Sequence, residues 1–310
     1  VHELPDGLHL EARGEFDDAL REGRESGIAV EQPLRITAHA HHVALAGEFE
    51  QRLRGVIDEI QSEQLGENRI LNIYLPEGYD DDDTTKYPVI YLLDGSADED
   101  FIHVAGLVQF NSFPWIKRIP KSIVVGIATV DRRRDFTWPT TVADDKKRYP
   151  TTGHSDAFIA FIEKELQPYI EKKYRTSTGK TIIGQSLGGL LATEILFEKP
   201  ALFNQYIIVS PSLWWDNASL LNQSPAILQD SFSHEIKIYV GVGKEGLAPT
   251  STPHVMEVEA NLLAEKIKST KSKNITLYFD YLPQEDHATI MHQAVFNAFR
   301  MLNPETAGNK

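Results

Sequence analysis

Hydrophobic positions along this chain follow two alternating rhythms. Short β-branched and aliphatic runs read as strands, and between them apolar residues recur every third or fourth position, as on one face of a helix. Val56 to Leu65 and Arg69 to Pro76 predict two strands around the turn Gly66-Glu67-Asn68. Val89 to Leu93, Ser122 to Ala128, Thr181 to Ile183, Tyr206 to Val209, Ile236 to Gly243 and Ile275 to Leu282 predict further strands. His154 to Tyr174 carries Phe158, Ile159, Phe161, Ile162, Leu166 and Ile170 on one stripe and predicts a helix interrupted near Pro168. Gly189 to Phe197, Val255 to Ser269, and a last segment with Ile290, Ala294, Val295, Ala298 and Phe299 on one face predict three more helices. Strands alternating with helices predict the α/β class, with a mostly parallel sheet covered on both faces. No internal repeat breaks the pattern.

Residues 1–50 fit it poorly. Glu15 to Glu25 suggests a short charged helix, and Leu34 to Leu45 alternates partly like a strand carrying His39, His41 and His42. Histidines on one strand face are a possible metal pair but more often mark a surface strand, so no metal site is expected. The reading is an N-terminal extension of unknown role over 1–50 and a main domain over 51–310.

Composition narrows the partners. The net charge is −14, which disfavours nucleic acid and anionic membranes because neither phosphates nor lipid headgroups would be neutralised. The chain has no cysteine, which excludes disulfides, a thiol nucleophile and cysteine-ligated zinc. No apolar run approaches a membrane span, and the acidic start does not read as a signal peptide. The expectation is a soluble protein, cytoplasmic, or periplasmic or secreted if a leader has been removed. Oligomeric state stays open.

The chemistry begins at Gly184-Gln185-Ser186-Leu187-Gly188, which fits G-x-S-x-G. A β-branched run precedes it and a helical pattern follows it, the strand–turn–helix context of a nucleophile elbow. In that arrangement the acid and then the histidine follow the serine along the chain. His287 stands in a polar turn after the last strand and before the last helix, the place for a general base, whereas His292 lies inside that helix and points away. His287 and His292 do not form an H-E-x-x-H zinc pair. His234 and His254 read as surface or structural residues. The acid should follow the strand Ile236 to Gly243, which favours Glu245. Glu257, Glu259 and Asp216 remain competitors.

Further segments support a resemblance. They are Leu75-Pro76-Glu77-Gly78-Tyr79, Tyr87 to Gly95, Arg132 to Thr137, Ser210-Pro211-Ser212-Leu213-Trp214-Trp215 and Glu285-Asp286-His287. With the elbow, they resemble the "putative esterase" family of α/β-hydrolases, and within it the siderophore-esterase-like branch. That family also holds esterase D, feruloyl and acetylxylan esterases and mycolyltransferases. The resemblance implies the α/β-hydrolase fold and a serine carboxylesterase acting on carboxylic esters, with short-chain acyl esters expected. A catecholate trilactone siderophore esterase, an acyltransferase and a non-catalytic binding module are the alternatives. It also implies an oxyanion hole from the backbone N–H groups of Leu187 and Ser96, no cofactor, and a small-molecule ester as partner. Trp214, Trp215 and Arg132 are expected at the substrate. Packing is the plainer role for at least one tryptophan, and pairing to Asp131 and Asp135 the plainer role for Arg132 and its neighbours.

Overall fold

The computed structural model describes residues 55–80 and 82–304. The extension expected over 1–50, with His39, His41 and His42, lies outside the described residues. Among those described, eight strands form one sheet: β1 (Gly55–Ser62), β2 (Glu67–Tyr74), β3 (Tyr87–Leu92), β4 (Ile123–Ile127), β5 (Thr176–Gln185), β6 (Gln205–Val209), β7 (Ile236–Gly243) and β8 (Ile275–Leu282). Their order is β1-β2-β4-β3-β5-β6-β7-β8. β1 and β2 are a hairpin and β2 runs antiparallel to β4, while β4 through β8 pair in parallel. This is the mostly parallel α/β sheet that the alternating pattern predicts, in the α/β-hydrolase architecture that the resemblance implies.

The helices divide between the two faces. α1 (Phe101–Ser112), α2 (Arg132–Phe136), α3 (Ala143–Arg148), α4 (Ser155–Phe161), α5 (Gln167–Lys173), α6 (Leu187–Glu198), α7 (Met256–Lys268) and α8 (Ile290–Leu302) follow in chain order. Period-2 side chains on the strands make the division visible. Ile90 and Leu92 of β3 pack with Val104 and Val108 of α1 and with Ile290, Ala294 and Val295 of α8. Val89 and Tyr91 of the same strand point to the other face, among Phe158 and Phe161 of α4, Leu190 of α6 and Leu263 of α7.

Several boundaries differ from the sequence reading. β5 starts at Thr176, five residues before the apolar run Thr181 to Ile183. Its first half is polar and half-exposed, so hydrophobicity does not reveal it. The helix expected over His154 to Tyr174 is broken ahead of Pro168. A π turn, Ile162–Leu166, separates α4 from α5, and the Gln167 N–H bonds back to the Ile162 carbonyl. Proline has no N–H to give the fourth carbonyl back and its ring crowds that turn, so the chain widens before it. α1, α2 and α3 were not expected as helices. The turns that matter most lie at the C-terminal edge of the parallel strands, where three residues other than glycine hold left-handed backbone: Asp94 after β3 (φ 53°), Ser186 after β5 (φ 59°) and Ser210 after β6 (φ 42°).

Candidate active site

Ser186 occupies the sharp turn between β5 and α6 with φ 59° and ψ −118°. Its N–H bonds the Val209 carbonyl at 3.0 Å, and its own carbonyl accepts from Leu190 N at 2.9 Å and Ser212 N at 3.0 Å. Glycine is required beside it for a measurable reason. A Cβ on Gly184 would lie 2.4 Å from the Gly188 carbonyl oxygen, closer than any real contact. At Gly188 the crowding is milder, 3.2 Å from an Asp94 carboxylate oxygen.

The structure brings Glu245 to His287. The Glu245 Oε2 lies 2.7 Å from His287 Nδ1, with the carboxylate side chain 1% exposed and the imidazole 44% exposed. The other oxygen, Oε1, accepts from the Ser210 hydroxyl and, at 3.3 Å, from the Gly243 N–H. Burial would raise the Glu245 pKa, but the bonds from His287 and Ser210 outweigh it and hold the carboxyl below its ordinary range. Glu245 is therefore a charged acceptor whose two oxygens are both bonded, and it fixes the orientation of the His287 imidazole.

The surrounding contacts hold this pair in place. Glu257 accepts the N–H groups of both Glu245 and Gly246, each at 2.8 Å. Lys244 N donates to the Glu285 carbonyl at 2.8 Å, joining the Glu245 loop to the His287 loop. Asp286 Oδ1 accepts from Ala288 N and Thr289 N at 2.9 and 3.1 Å. Gln185, the residue before Ser186, donates its side-chain amide to the His287 carbonyl at 2.5 Å. That bond places the histidine backbone beside the elbow. The Ser186 and His287 side chains are not hydrogen-bonded to one another in this structure. Such bonds are commonly long before substrate binds and tighten in the complex.

The competing acids have other partners. Asp216 is buried and accepts from Thr141 N at 2.6 Å and from the hydroxyls of Thr140 and Thr141 at 3.0 and 2.8 Å. Glu259 bonds His254 Nδ1. His292 leaves the site, as its position in the helix implied, and its ring lies 4.7 Å from that of His103.

A cleft of about 180 Å³ opens over Ser186, lined by Leu187, Ser212, Arg132, Arg133, Tyr149, Trp214 and Trp215 among others. Leu187 is the first residue of α6, so its N–H has no intrahelical acceptor. Ser96 is not part of that lining. Its N–H has no backbone acceptor among the described residues, while its hydroxyl accepts from Thr129 N at 3.2 Å. The preceding Gly95 is fixed by Ile127 O at 3.0 Å and by Asn72 at 2.8 Å. Trp214 and Trp215 are both buried and both line the cleft, so packing and lining are one role here. The Trp215 indole N–H donates to the Trp138 carbonyl at 3.0 Å.

Arg132 lines the cleft, as expected of a residue at the substrate, but it does not pair with Asp131 or Asp135. It grips Asp94 with two bonds of 2.7 and 2.9 Å and reaches the Gln185 carbonyl at 3.1 Å. Asp94 is buried under the elbow, and burial raises its pKa even against Arg132. A buried carboxylate needs a counter-charge, and Arg132 supplies it. Arg134 pairs with Glu67 and Asp135. Arg133 is exposed, lies 4.9 Å over the Tyr149 ring, and has no carboxylate partner among the described residues. Sequence reasoning did not single out Gln185, Asp94 or Ser210 for these contacts, because each acts through a bond across the sheet edge that no local pattern announces. Among the described residues, no group of three or more metal-ligating side chains is suited to hold a metal ion, and no helix is long and apolar enough to cross a membrane.

Comparison with known proteins adds to this geometry. A family model described as "Putative esterase" matches residues 62–287. Ferri-bacillibactin esterase BesA of Bacillus subtilis (strain 168) is 30% identical over 254 residues, 77% of this chain and 87% of that protein. A siderophore triacetylfusarinine C esterase of Aspergillus fumigatus is 29% identical over 53% of this chain and 58% of its own length. Among solved structures, an IroE-like serine hydrolase from Shewanella oneidensis superposes with a TM-score of 0.71 at 32% identity, covering 81% of this chain and 80% of that one.

Proposed function

The chain belongs to the "Putative esterase" family and is a carboxylic ester hydrolase, and from that premise we propose that Ser186, His287 and Glu245 are its nucleophile, base and acid and that its natural ester is a siderophore. The observation that supports the triad is the 2.7 Å bond from His287 Nδ1 to a buried Glu245, on a loop tied to the residue before Ser186. With Nδ1 held, Nε2 is the nitrogen free to take the Ser186 proton. Ser186 Oγ attacks the ester carbonyl, and the oxyanion is received by the N–H groups of Leu187 and Ser96. His287 returns the proton to the leaving alcohol, and water then clears the acyl-enzyme by the same path. No step requires a cofactor.

Arg133 and the relatives' substrates support the siderophore reading. By their names, one relative is a ferri-bacillibactin esterase and another a siderophore triacetylfusarinine C esterase. Arg133, with no carboxylate partner among the described residues and its guanidinium 4.9 Å over the Tyr149 ring at the cleft, suits an anionic aromatic acyl group such as a catecholate. The cleft's volume of about 180 Å³ favours a second reading, a broad esterase for short acyl chains. Steady-state hydrolysis of a catecholate trilactone and of p-nitrophenyl acetate, with wild type and Ser186→Ala, tests both. The siderophore reading expects a kcat/KM at least about 100-fold higher on the trilactone, lost in Ser186→Ala. Comparable or lower efficiency on the trilactone would favour the short-chain reading. Activity that persists in Ser186→Ala would remove the triad assignment.

A further inference from the structure

We propose that Ser212 is a catalytic residue, donating a hydrogen bond to Ser186 Oγ and stabilising the charge that this oxygen gains in acylation and again as it departs in deacylation. The proposal rests on Ser186 being the nucleophile. Ser212 belongs to the Ser210-Pro211-Ser212 turn at the end of β6, and its N–H is tied to the Ser186 carbonyl at 3.0 Å. It is 2% exposed, and its Oγ lies 3.2 Å from Ser186 Oγ in the wall of the cleft. Among the described residues neither hydroxyl has another side-chain or backbone partner.

The direction of that bond follows from what each group has left to bind. Ser212's hydroxyl is enclosed, and an enclosed O–H left without an acceptor is costly. Ser186 Oγ is the acceptor at hand, so Ser212 donates. Ser186's own proton then remains available for His287 Nε2. In acylation the Ser186 Oγ–carbon bond forms, the Ser186 proton passes to His287, and the carbonyl electron pair moves onto its oxygen. Ser212 keeps its proton throughout. In deacylation water attacks, its proton goes to His287 and then to Ser186 Oγ as the Oγ–carbon bond breaks, and Ser212 again bonds the oxygen that bears the charge.

At 3.2 Å the contact is longer than the roughly 2.7–2.8 Å usual for O–H···O bonds. It can shorten as charge develops, so it contributes more in the transition state than in the resting enzyme, which is the condition for raising kcat. The same turn also reaches the acid through the Ser210 hydroxyl on Glu245. One short segment thus touches both ends of the proposed triad.

The test uses Ser212→Ala and Ser212→Thr with Ser186→Ala as control. It reads kcat and KM for p-nitrophenyl acetate and the second-order rate of inactivation by diisopropyl fluorophosphate. The proposal expects Ser212→Ala to lower kcat and the inactivation rate together by about 10- to 30-fold, since one donor to a developing oxyanion is worth about 100-fold or more and this one is a longer, neutral bond. KM should stay within about 2-fold, and Ser212→Thr, which keeps the hydroxyl, should run at least about 3-fold faster than Ser212→Ala. Any other pattern overturns the proposal, including unchanged rates or a loss carried by KM. Activity surviving in Ser186→Ala would instead remove the nucleophile assignment, whatever the Ser212 variants do.

Discussion

Replacing Glu245 by Gln tests the proposed acid with little change in shape. The carboxylate faces the imidazole at 2.7 Å, so an effective dielectric of about 20 gives about 6 kcal/mol of attraction once His287 is protonated. The imidazole is 44% exposed, and solvent screening cuts that to about 3 kcal/mol, near two decades of rate. Tautomer adds to the loss. If the Gln amide nitrogen turns to His287, Nδ1 must accept, and Nε2 then carries the hydrogen and can no longer serve as base. Loss of the acid in comparable triads costs about 10⁴ in kcat. The expectation for Glu245→Gln is therefore a kcat loss of about 10² to 10⁴ with KM near wild type, read with p-nitrophenyl acetate. Asp216→Asn, whose carboxylate binds Thr140 and Thr141, should keep kcat within a few-fold. Glu245→Gln retaining more than about a tenth of kcat, or Asp216→Asn losing more than it does, would refute the reasoning. The pH dependence of stability gives a second check. The folded-state pKa of Glu245 lies below its ordinary 4.5, so the stability it contributes is present above that value and lost as pH falls through the lowered one. The stability gap between wild type and Glu245→Gln should narrow in acid, measurable by urea midpoints across pH 3 to 7.

Three other perturbations follow from the same structure. Glu257→Gln leaves one of the N–H groups of Glu245 and Gly246 facing an amide, and should cost about 1–2 kcal/mol in urea unfolding and about 10-fold in kcat. Gly184→Ala drives a Cβ to 2.4 Å from the Gly188 carbonyl and should destabilise by about 3 kcal/mol, with loss of turnover in whatever fraction stays folded. Glu194, buried on α6, accepts from Ser155 at 2.8 Å, and burial pushes its carboxyl up to about 8. Its neutral form is the one the fold prefers, so its stabilising contribution is present below about 4.5 and is lost as pH rises through about 8. Wild type should therefore lose melting temperature between pH 6 and 9, and Glu194→Gln should lose less; equal slopes would contradict this.

The parallel sheet was legible because its central strands are continuous apolar runs, which only burial on both faces explains. The elbow was legible because a tight turn demands glycine, and glycine is visible in sequence. Glu245 and His287 were singled out from chain order and from loops that follow strands, and the structure places them 2.7 Å apart. Sequence did not show how Glu257 differs from Glu245, since both are glutamates near one loop and only the fold decides which carboxylate meets the imidazole. The arginine cluster was read by proximity along the chain, yet Arg132 crosses to Asp94 because burial, not sequence distance, sets the need for a counter-charge. α1 was hidden for the opposite reason. Val104 and Val108 face the core, but Ile102 and Phe110 on other sides of the helix are apolar and exposed, so no single stripe stands out, and its N-cap Asp100 makes no side-chain cap bond.

The three left-handed residues at the ends of β3, β5 and β6 carry a lesson for anyone engineering this enzyme. Asp94, Ser186 and Ser210 each hold a backbone that glycine would adopt more easily. A library screened for heat resistance alone would tend to relax these positions first and would collect well-folded, inactive proteins. Selection for turnover and for melting temperature should run together, with hardening mutations confined to the β1–β2 hairpin and the outer faces of the helices. There the chain has freedom to change that its catalytic edge lacks.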